Sequence, residues 1–360
     1  MQKHAVHGGG FFRAVGERLD HLERRTDIVN ADVLDAWYDP SPRVVLALRD
    51  HLTWLVKTSP PTHAEGLIEV VAGARGIPAS QVLLGSGSSS LIFLLFPRLF
   101  SGGCVGVLDP MYGEYEHVLG RAGAKVCRFE LDPPSFRPDP VALAEFAAGL
   151  DGLVLVNPNS PTGVGLRLPE VEALLVALPA HVRVWIDETY IDHLPGAQTA
   201  EGLVSRFPNL VVAKSMSKYY ALSGLRVGYC VARPVLVEEA SADSPPWSVG
   251  LLAQVAAAEA LRDPAYYEEK AVETRELRHM LTEGLIELGM VPTASEANFV
   301  MAHVPGGGVA AAVTKAEKQG VFVRNCDSLS PRFKDDTIRV AVKDAASQAR
   351  VLAALRSSGL

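Results

Sequence analysis

SMSKYYALSGLRVGY, residues 215–229, sets a lysine just after two serines, passes through Ser-Gly-Leu-Arg and closes on Val-Gly-Tyr. It continues from LVVAK (210–214), an apolar run with the length of a buried strand. A lone lysine at a strand end is ordinarily a surface residue. Lys218 here has Ser215 and Ser217 before it and Arg226 eight residues on, a set of hydroxyls and a guanidinium suited to an anion. A lysine used for covalent chemistry must shed its proton and reach a carbonyl, which burial and neighbouring positive charge both assist. The rest of the chain decides between these readings.

Similar apolar runs recur through the middle of the sequence: QVLLG (81–85), CVGVLD (104–109), KVCRFEL (125–131), GLVLVN (152–157), RVWID (183–187) and RVGYCVA (226–232). Helix-period segments such as HAEGLIEVVAGARG (63–76) and LPEVEALLVAL (168–178) lie between them. Continuous apolar strands alternating with helices predict an α/β fold whose mostly parallel sheet is covered on both faces. After about residue 244 the texture changes to an Ala-rich helical stretch (251–263) and a long charged helical pattern (266–289). Three further strand candidates follow, NFVMAHV (298–304), VFVRN (321–325) and TIRVAV (337–342). They predict a smaller C-terminal α/β unit that the first 40 residues help to complete. We therefore expect an N-terminal arm over 1–45, a large domain over 46–270 and a small domain over 271–360.

With 360 residues, 48% hydrophobic and 21% charged, and a net charge of -7, the chain can bury a substantial core and offers no basic surface for nucleic acid. Its four cysteines (Cys104, Cys127, Cys230 and Cys326) lack metal-site or disulfide-framework spacing. The N-terminus has no apolar core with a cleavage site after it, and LIFLLFPRLF (91–100) is too short to span a bilayer, so it reads as a buried helix. The expected compartment is the cytoplasm.

Polar groups at the carboxyl ends of parallel strands are where such sheets bind ligands, and four sets stand there. GSGSSSL (85–91) opens an apolar helix, offering the N–H groups of Ser88 and Ser89 and the hydroxyl of Ser90 to an anion. By itself it is also an ordinary Gly/Ser turn with a cap. VNPNSPTG (156–163) is a turn by composition. RVWIDETY (183–190) places Asp187 and Glu188 at the end of a strand that should be buried, where a carboxylate needs a cation or several donors. A salt bridge in the core would satisfy it equally. The fourth set is the opening stretch. Pyridoxal phosphate needs all four at once: a lysine for its aldehyde, a cradle and an arginine for its phosphate, a carboxylate for its ring nitrogen, and donors for its phenolic oxygen.

SMSKYYALSGLRVGY, with NPNSPTG and DETY upstream, resembles the fold-type I pyridoxal-phosphate enzymes, in the group of histidinol-phosphate aminotransferase and threonine-phosphate decarboxylase. LDAWYDPSPRVVLAL (34–48) and TIRVAV carry the likeness toward the two ends. The resemblance implies that Lys218 binds the aldehyde and, once displaced by substrate, moves the proton from Cα. It implies that Asp187 pairs with the ring nitrogen, Tyr190 donates to the phenolic oxygen, and Tyr112 stacks on the ring. Ser88, Ser89, Ser215, Ser217 and Arg226 would hold the phosphate, and Asn157 and Asn159 are further cofactor candidates. Arg339 would grip the substrate α-carboxylate, with Arg324 and Tyr38 near its distal part. A homodimer is expected on the same ground.

The chain departs from the family in three places. Ser160 stands where relatives have the asparagine before Pro-Thr-Gly, so Asn157, Asn159 and Ser160 all remain candidates for the phenolic oxygen. TSPPTHAEG (58–66) replaces a Tyr-Pro-Asp stretch that serves the neighbouring subunit's phosphate, leaving Ser59 or His63 as substitutes. Ala36-Trp37 replaces Asn-Pro, so the pocket near Tyr38 should differ. Amino transfer is the first expectation. Decarboxylation of a phosphorylated or anionic amino acid is the second, since threonine-phosphate decarboxylases begin with a His-Gly-Gly segment like His7-Gly8-Gly9. A binding module without turnover is a third reading, against which the intact set of reactive residues argues.

Overall fold

The strands sort into two sheets in the computed structural model, which describes residues 8–16, 18–196 and 199–360. The first strand, β1 (Val29–Ala31), is set apart from the seven that follow: β2 (Val82–Gly85), β3 (Cys104–Asp109), β4 (Lys125–Glu130), β5 (Gly152–Val156), β6 (Arg183–Asp187), β7 (Leu210–Ser215) and β8 (Gly228–Val231). Those seven form the larger sheet, in the order β2-β8-β7-β6-β5-β3-β4. Neighbours from β4 across to β7 are parallel, while β8 runs antiparallel to both β7 and β2. This is the mostly parallel mixed sheet that the apolar runs predict.

Position in the sheet accounts for the sequence of each strand. β5 lies between two partners and buries all five of its residues. β4 lies at the edge and exposes Lys125, Arg128 and Glu130, charges that discourage pairing with another chain. RVGYCVA was expected to be extended from residue 226, but β8 starts at Gly228 because Arg226 adopts a left-handed backbone (φ 52°). The run LIFLLFPRLF lies in the helix Ser88–Phe100, which buries Leu91, Ile92, Leu95, Phe96, Leu99 and Phe100 against the sheet.

β9 (Val291–Pro292), β10 (Phe299–His303), β11 (Val321–Asn325) and β12 (Thr337–Ala341) build the second sheet, ordered β1-β11-β12-β10-β9. β1 pairs parallel with β11 from the far end of the sequence, so the N-terminal segment does complete the C-terminal unit. The helix Pro264–Glu287 links the two parts, burying Tyr267, Ala271, Thr274, Arg278, Leu281 and Leu285. Their alternating spacing of four and three residues is one helix face. Among the described residues no helix is long and apolar enough to cross a membrane.

Candidate active site

The carboxyl ends of β5, β6 and β7 and the turn after β2 open on one cavity of about 220 Å³. Ser88, Ser89, Ser215, Ser217 and Arg226 line one part of it. Asp187, Tyr190, Tyr112, Lys218 and Arg339 line it as well. Parallel strands end side by side, so residues more than a hundred positions apart in sequence share this rim.

The serine and arginine part is shaped by Gly87, the residue before the helix Ser88–Phe100. A side chain there would put its Cβ 2.6 Å from Arg226 Nη2, and the backbone is left-handed (φ 78°). Glycine lets the guanidinium lie against the turn, beside the free N–H groups at the start of a 13-residue helix. Arg226 Nη1 donates to the Ser223 carbonyl at 2.9 Å and reaches Ser217 Oγ at 3.4 Å.

Asp187 closes β6 and is buried. Burial pushes its carboxyl above the usual range, against donors from Thr189 and Tyr115. Thr189 gives its N–H (2.9 Å) and hydroxyl (2.5 Å) to Oδ1, and the Tyr115 hydroxyl donates to Oδ2 at 2.6 Å. A cation beside Asp187 would offset the cost of burial. Glu188, one residue on, faces the opposite side and meets Lys214 at 3.3 Å, in a buried cluster with Asp192, Glu201 and Arg75. The two readings of this pair thus divide between its members: Glu188 makes the core salt bridge and Asp187 faces the cavity.

Lys218 Nζ lies 3.1 Å from Asp35 Oδ1. Burial lowers its affinity for a proton and Arg339 and Arg226 add to this, while Asp35 opposes them. Tyr190 and Tyr112 hold their phenolic protons above the ordinary range because of burial, Tyr112 pushed up to about 12. Arg339, on β12, is fixed by Ser160 Oγ and the Asp32 carbonyl, each at 3.1 Å. Its fork spans a side chain of the larger sheet's turn and the backbone after β1.

Several expected residues lie elsewhere. The Asn157 amide exchanges both of its hydrogen bonds with the backbone of Leu166 (2.9 and 2.7 Å). Asn159 donates to the Pro110 carbonyl at 2.9 Å and to Thr162. Neither lines the cavity, and Ser160 is the member of that trio which does. Tyr38 is not among the lining residues: its hydroxyl donates to the Tyr219 carbonyl at 2.7 Å, which directs it into the core. Arg324 lies just behind the lining, 3.1 Å from Ser328 Oγ and 4.0 Å from Asp32 Oδ1. Ser59 and His63 are exposed and outside the cavity. Gly8 lines the cavity and the Gly9 N–H donates to Asp32 Oδ2 at 2.9 Å, whereas His7 lies outside the described residues.

Sequence reasoning missed Tyr115, Thr189, Asp32 and Asp35. Tyr115 had a local signal, standing three residues after Tyr112 at the start of a helix. Asp35 had none, because its partner is 183 residues away.

The donor set fits pyridoxal phosphate: a helix start, hydroxyls and Arg226 for a phosphate, the buried Asp187 for a protonated ring nitrogen, and Lys218 for an aldehyde. The model of aminotransferase class I and II matches residues 27–355. Histidinol-phosphate aminotransferase from Acetobacter pasteurianus is 32% identical over 308 residues, 84% of each chain. Among solved structures, histidinol-phosphate aminotransferase from Sinorhizobium meliloti, in complex with pyridoxal-5'-phosphate, superposes with a TM-score of 0.83 at 20% identity over 99% of both chains. L-threonine-O-3-phosphate decarboxylase from Porphyromonas gingivalis gives 0.81 at 23% identity, over 92% of this chain and 99% of that one. The fold is therefore that of fold-type I pyridoxal-phosphate enzymes. The chain belongs to the aminotransferase class I and II family and is by that membership a pyridoxal-phosphate-dependent aminotransferase.

Proposed function

We propose that the enzyme moves an amino group from an amino acid, held by Arg339, to a 2-keto acid, and that it works as a homodimer in the cytoplasm. The observation that carries this reading is the convergence of Lys218, Asp187, Arg226 and Arg339 on one cavity. When bound, the cofactor supplies an electron sink for the bonds at the substrate's Cα. The chain's own residues do the rest. Arg226 and the serines would hold the cofactor's phosphate, and Asp187 would pair with its ring nitrogen. Tyr190 and Ser160 would donate to its phenolic oxygen, and Tyr112 would cover the ring. Lys218 Nζ carries the proton that leaves Cα. Arg339 turns the α-carboxylate and so selects which Cα bond is labile. Arg324 serves the distal end of the substrate from behind Asp32.

Histidinol phosphate is the substrate named for the relatives. Here Asp32 next to Arg324, and Ala36-Trp37 in the loop beyond it, argue for a donor other than a phosphomonoester. Decarboxylation is the second reading, favoured by Gly8 at the cavity and Gly9 bonded to Asp32. We divide the chain near residues 45 and 270, each sheet anchoring one domain. The homodimer is supported by the helix Pro42–Lys57, which exposes Val45, Leu46, Leu52, Trp54 and Val56. Free cysteines agree with a reducing compartment.

A half-reaction screen tests the reading. Holoenzyme is mixed with single amino acids and phospho-amino acids without a keto acid, and products are analysed by mass. Formation of pyridoxamine phosphate and a 2-keto acid supports amino transfer, whereas release of CO2 and an amine with the cofactor regenerated overturns it in favour of decarboxylation. Arg339→Lys should raise KM for the donor roughly tenfold to a hundredfold while sparing cofactor affinity, since a point charge replaces a two-pronged donor.

A further inference from the structure

The segment Leu34–Tyr38 is a strap stitched down on both sides. Asn298 Nδ2 donates to the Leu34 carbonyl at 3.0 Å, and Lys343 Nζ donates to the Asp35 carbonyl at 2.9 Å. Tyr38 donates to the carbonyl of Tyr219, the residue after Lys218. Three anchors from widely separated parts of the chain thus fix the backbone on which Asp35 sits. The Asp35 carboxylate then reaches Lys218 Nζ at 3.1 Å, with the Ser223 hydroxyl within hydrogen-bonding reach.

Each carboxylate near the cavity has a separate partner. Asp187 is surrounded by the neutral donors of Tyr115 and Thr189 and faces the place for the ring nitrogen. Asp32 accepts from Gly9 and neighbours Arg324. Only Asp35, among the described residues, is paired with Lys218. Arg339 and Arg226 face Lys218 with like charge, and Lys343, held down to about 8 by burial, stands behind Asp35. Tyr112 and Tyr190 complete the titratable groups of the cavity.

We propose that Asp35 is a positioning residue for Lys218: its strapped carboxylate holds the lysine's amine in the cavity and steadies the proton that the amine takes up from Cα. The role rests on the function proposed above for Lys218. It gives the amine a fixed station whenever it is not bound to the cofactor, within reach of the proton that leaves Cα. Asp35 itself touches neither substrate nor cofactor in this scheme. Its side chain is about a third exposed, so the ion pair contributes little to stability. The effect of losing it falls on Lys218 instead.

The test has two readouts apart from turnover. In apoenzyme, the pH dependence of Lys218 acetylation by pulsed acetic anhydride is followed by peptide mass spectrometry. In holoenzyme without substrate, the pH midpoint of the bound cofactor's absorbance change is recorded. A carboxylate favours the protonated amine, so Asp35→Asn should lower both midpoints by about one pH unit or more, giving roughly tenfold more label at neutral pH. Asp35→Glu, which keeps the charge, should stay within about half a unit of the parent protein. Asn298→Leu, which frees the strap at Leu34 without altering any charge, should shift both midpoints the same way by a smaller step, and it serves if Asp35→Asn does not fold. Unchanged midpoints in Asp35→Asn, or in Asn298→Leu when that is the variant available, overturn the proposal. Lys218→Ala separates this from the functional reading: if it retains the covalently bound cofactor's absorbance, the assignment of Lys218 fails, whereas its loss with an unmoved Asp35→Asn midpoint fails Asp35 alone.

Discussion

The Tyr115 hydroxyl donates to Asp187 Oδ2 at 2.6 Å and itself receives the Trp185 indole N–H at 3.2 Å. A buried relay of neutral donors therefore opposes the burial that pushes the Asp187 carboxyl above its usual range. Tyr115→Phe removes one donor and raises the Asp187 pKa further. A hydrogen bond to a charged group is worth about 1.5–3 kcal/mol, so cofactor affinity should fall at least about tenfold. The loss should be larger at pH 6 than at pH 8, because the carboxylate is then closer to protonation. Cofactor titrations at the two pH values measure this, and equal affinities in variant and parent would contradict it.

Gly87 and Arg226 are a matched pair. Gly87→Ala would place Cβ 2.6 Å from Nη2 and force a left-handed alanine. At ψ 165° this is a conformation essentially reserved for glycine, so the backbone strain costs about 1–3 kcal/mol, and displacement of the guanidinium should weaken cofactor binding as well. The expected result is at least a tenfold rise in the cofactor dissociation constant with the apoenzyme still folded. A variant that binds cofactor as tightly as the parent would remove Arg226 from the phosphate site.

Lys214 and Lys218 lie four residues apart and make opposite predictions. Lys214 is fully buried among Glu188, Asp192 and Glu201, with Arg75 as the second cation. Lys214→Met leaves three carboxylates with one cation and should cost about 3–5 kcal/mol in denaturant unfolding. Whatever folds should still bind cofactor covalently through Lys218. Loss of the bound-cofactor absorbance in a folded Lys214→Met protein would contradict the assignment.

His193 is buried beside Asp192, Arg275 and Arg278, and neither ring nitrogen has a hydrogen-bond partner among the described residues. Burial lowers its pKa to about 4 from 6.5. The unfolded chain therefore binds a proton between those values that the folded chain does not. Its contribution to stability is intact above pH 6.5 and is lost as pH falls toward 4, by about 3 kcal/mol in all. His193→Leu should flatten that part of the stability profile. An unchanged slope between pH 6.5 and 4 in urea unfolding would show that other groups govern the acid limb.

Much of this enzyme could be read along the chain. Buried parallel strands are written as unbroken apolar runs, and the residues at their carboxyl ends necessarily share a rim. Lys218, Asp187, Ser88 and Arg226 could thus be grouped before any coordinates were known. The boundaries of the strands were legible to within a few residues for the same reason, except at Arg226, where a left-handed backbone ends the extended run.

Tertiary structure decided which polar side chains remain available to a ligand. Asn157, Asn159 and Ser160 look alike in sequence, yet the Asn157 amide bonds the backbone of Leu166 and the Asn159 amide donates to the Pro110 carbonyl, while the serine hydroxyl meets Arg339. Tyr38 is consumed in the same way by a distant carbonyl. Asp35 with Lys218, Tyr115 with Asp187, and β1 with β11 depend on contacts across 183, 72 and nearly 300 residues. Local periodicity reports which face of an element is apolar, whereas the partner of a buried polar group is settled by whichever donor or acceptor the folded chain brings within about 3 Å of it.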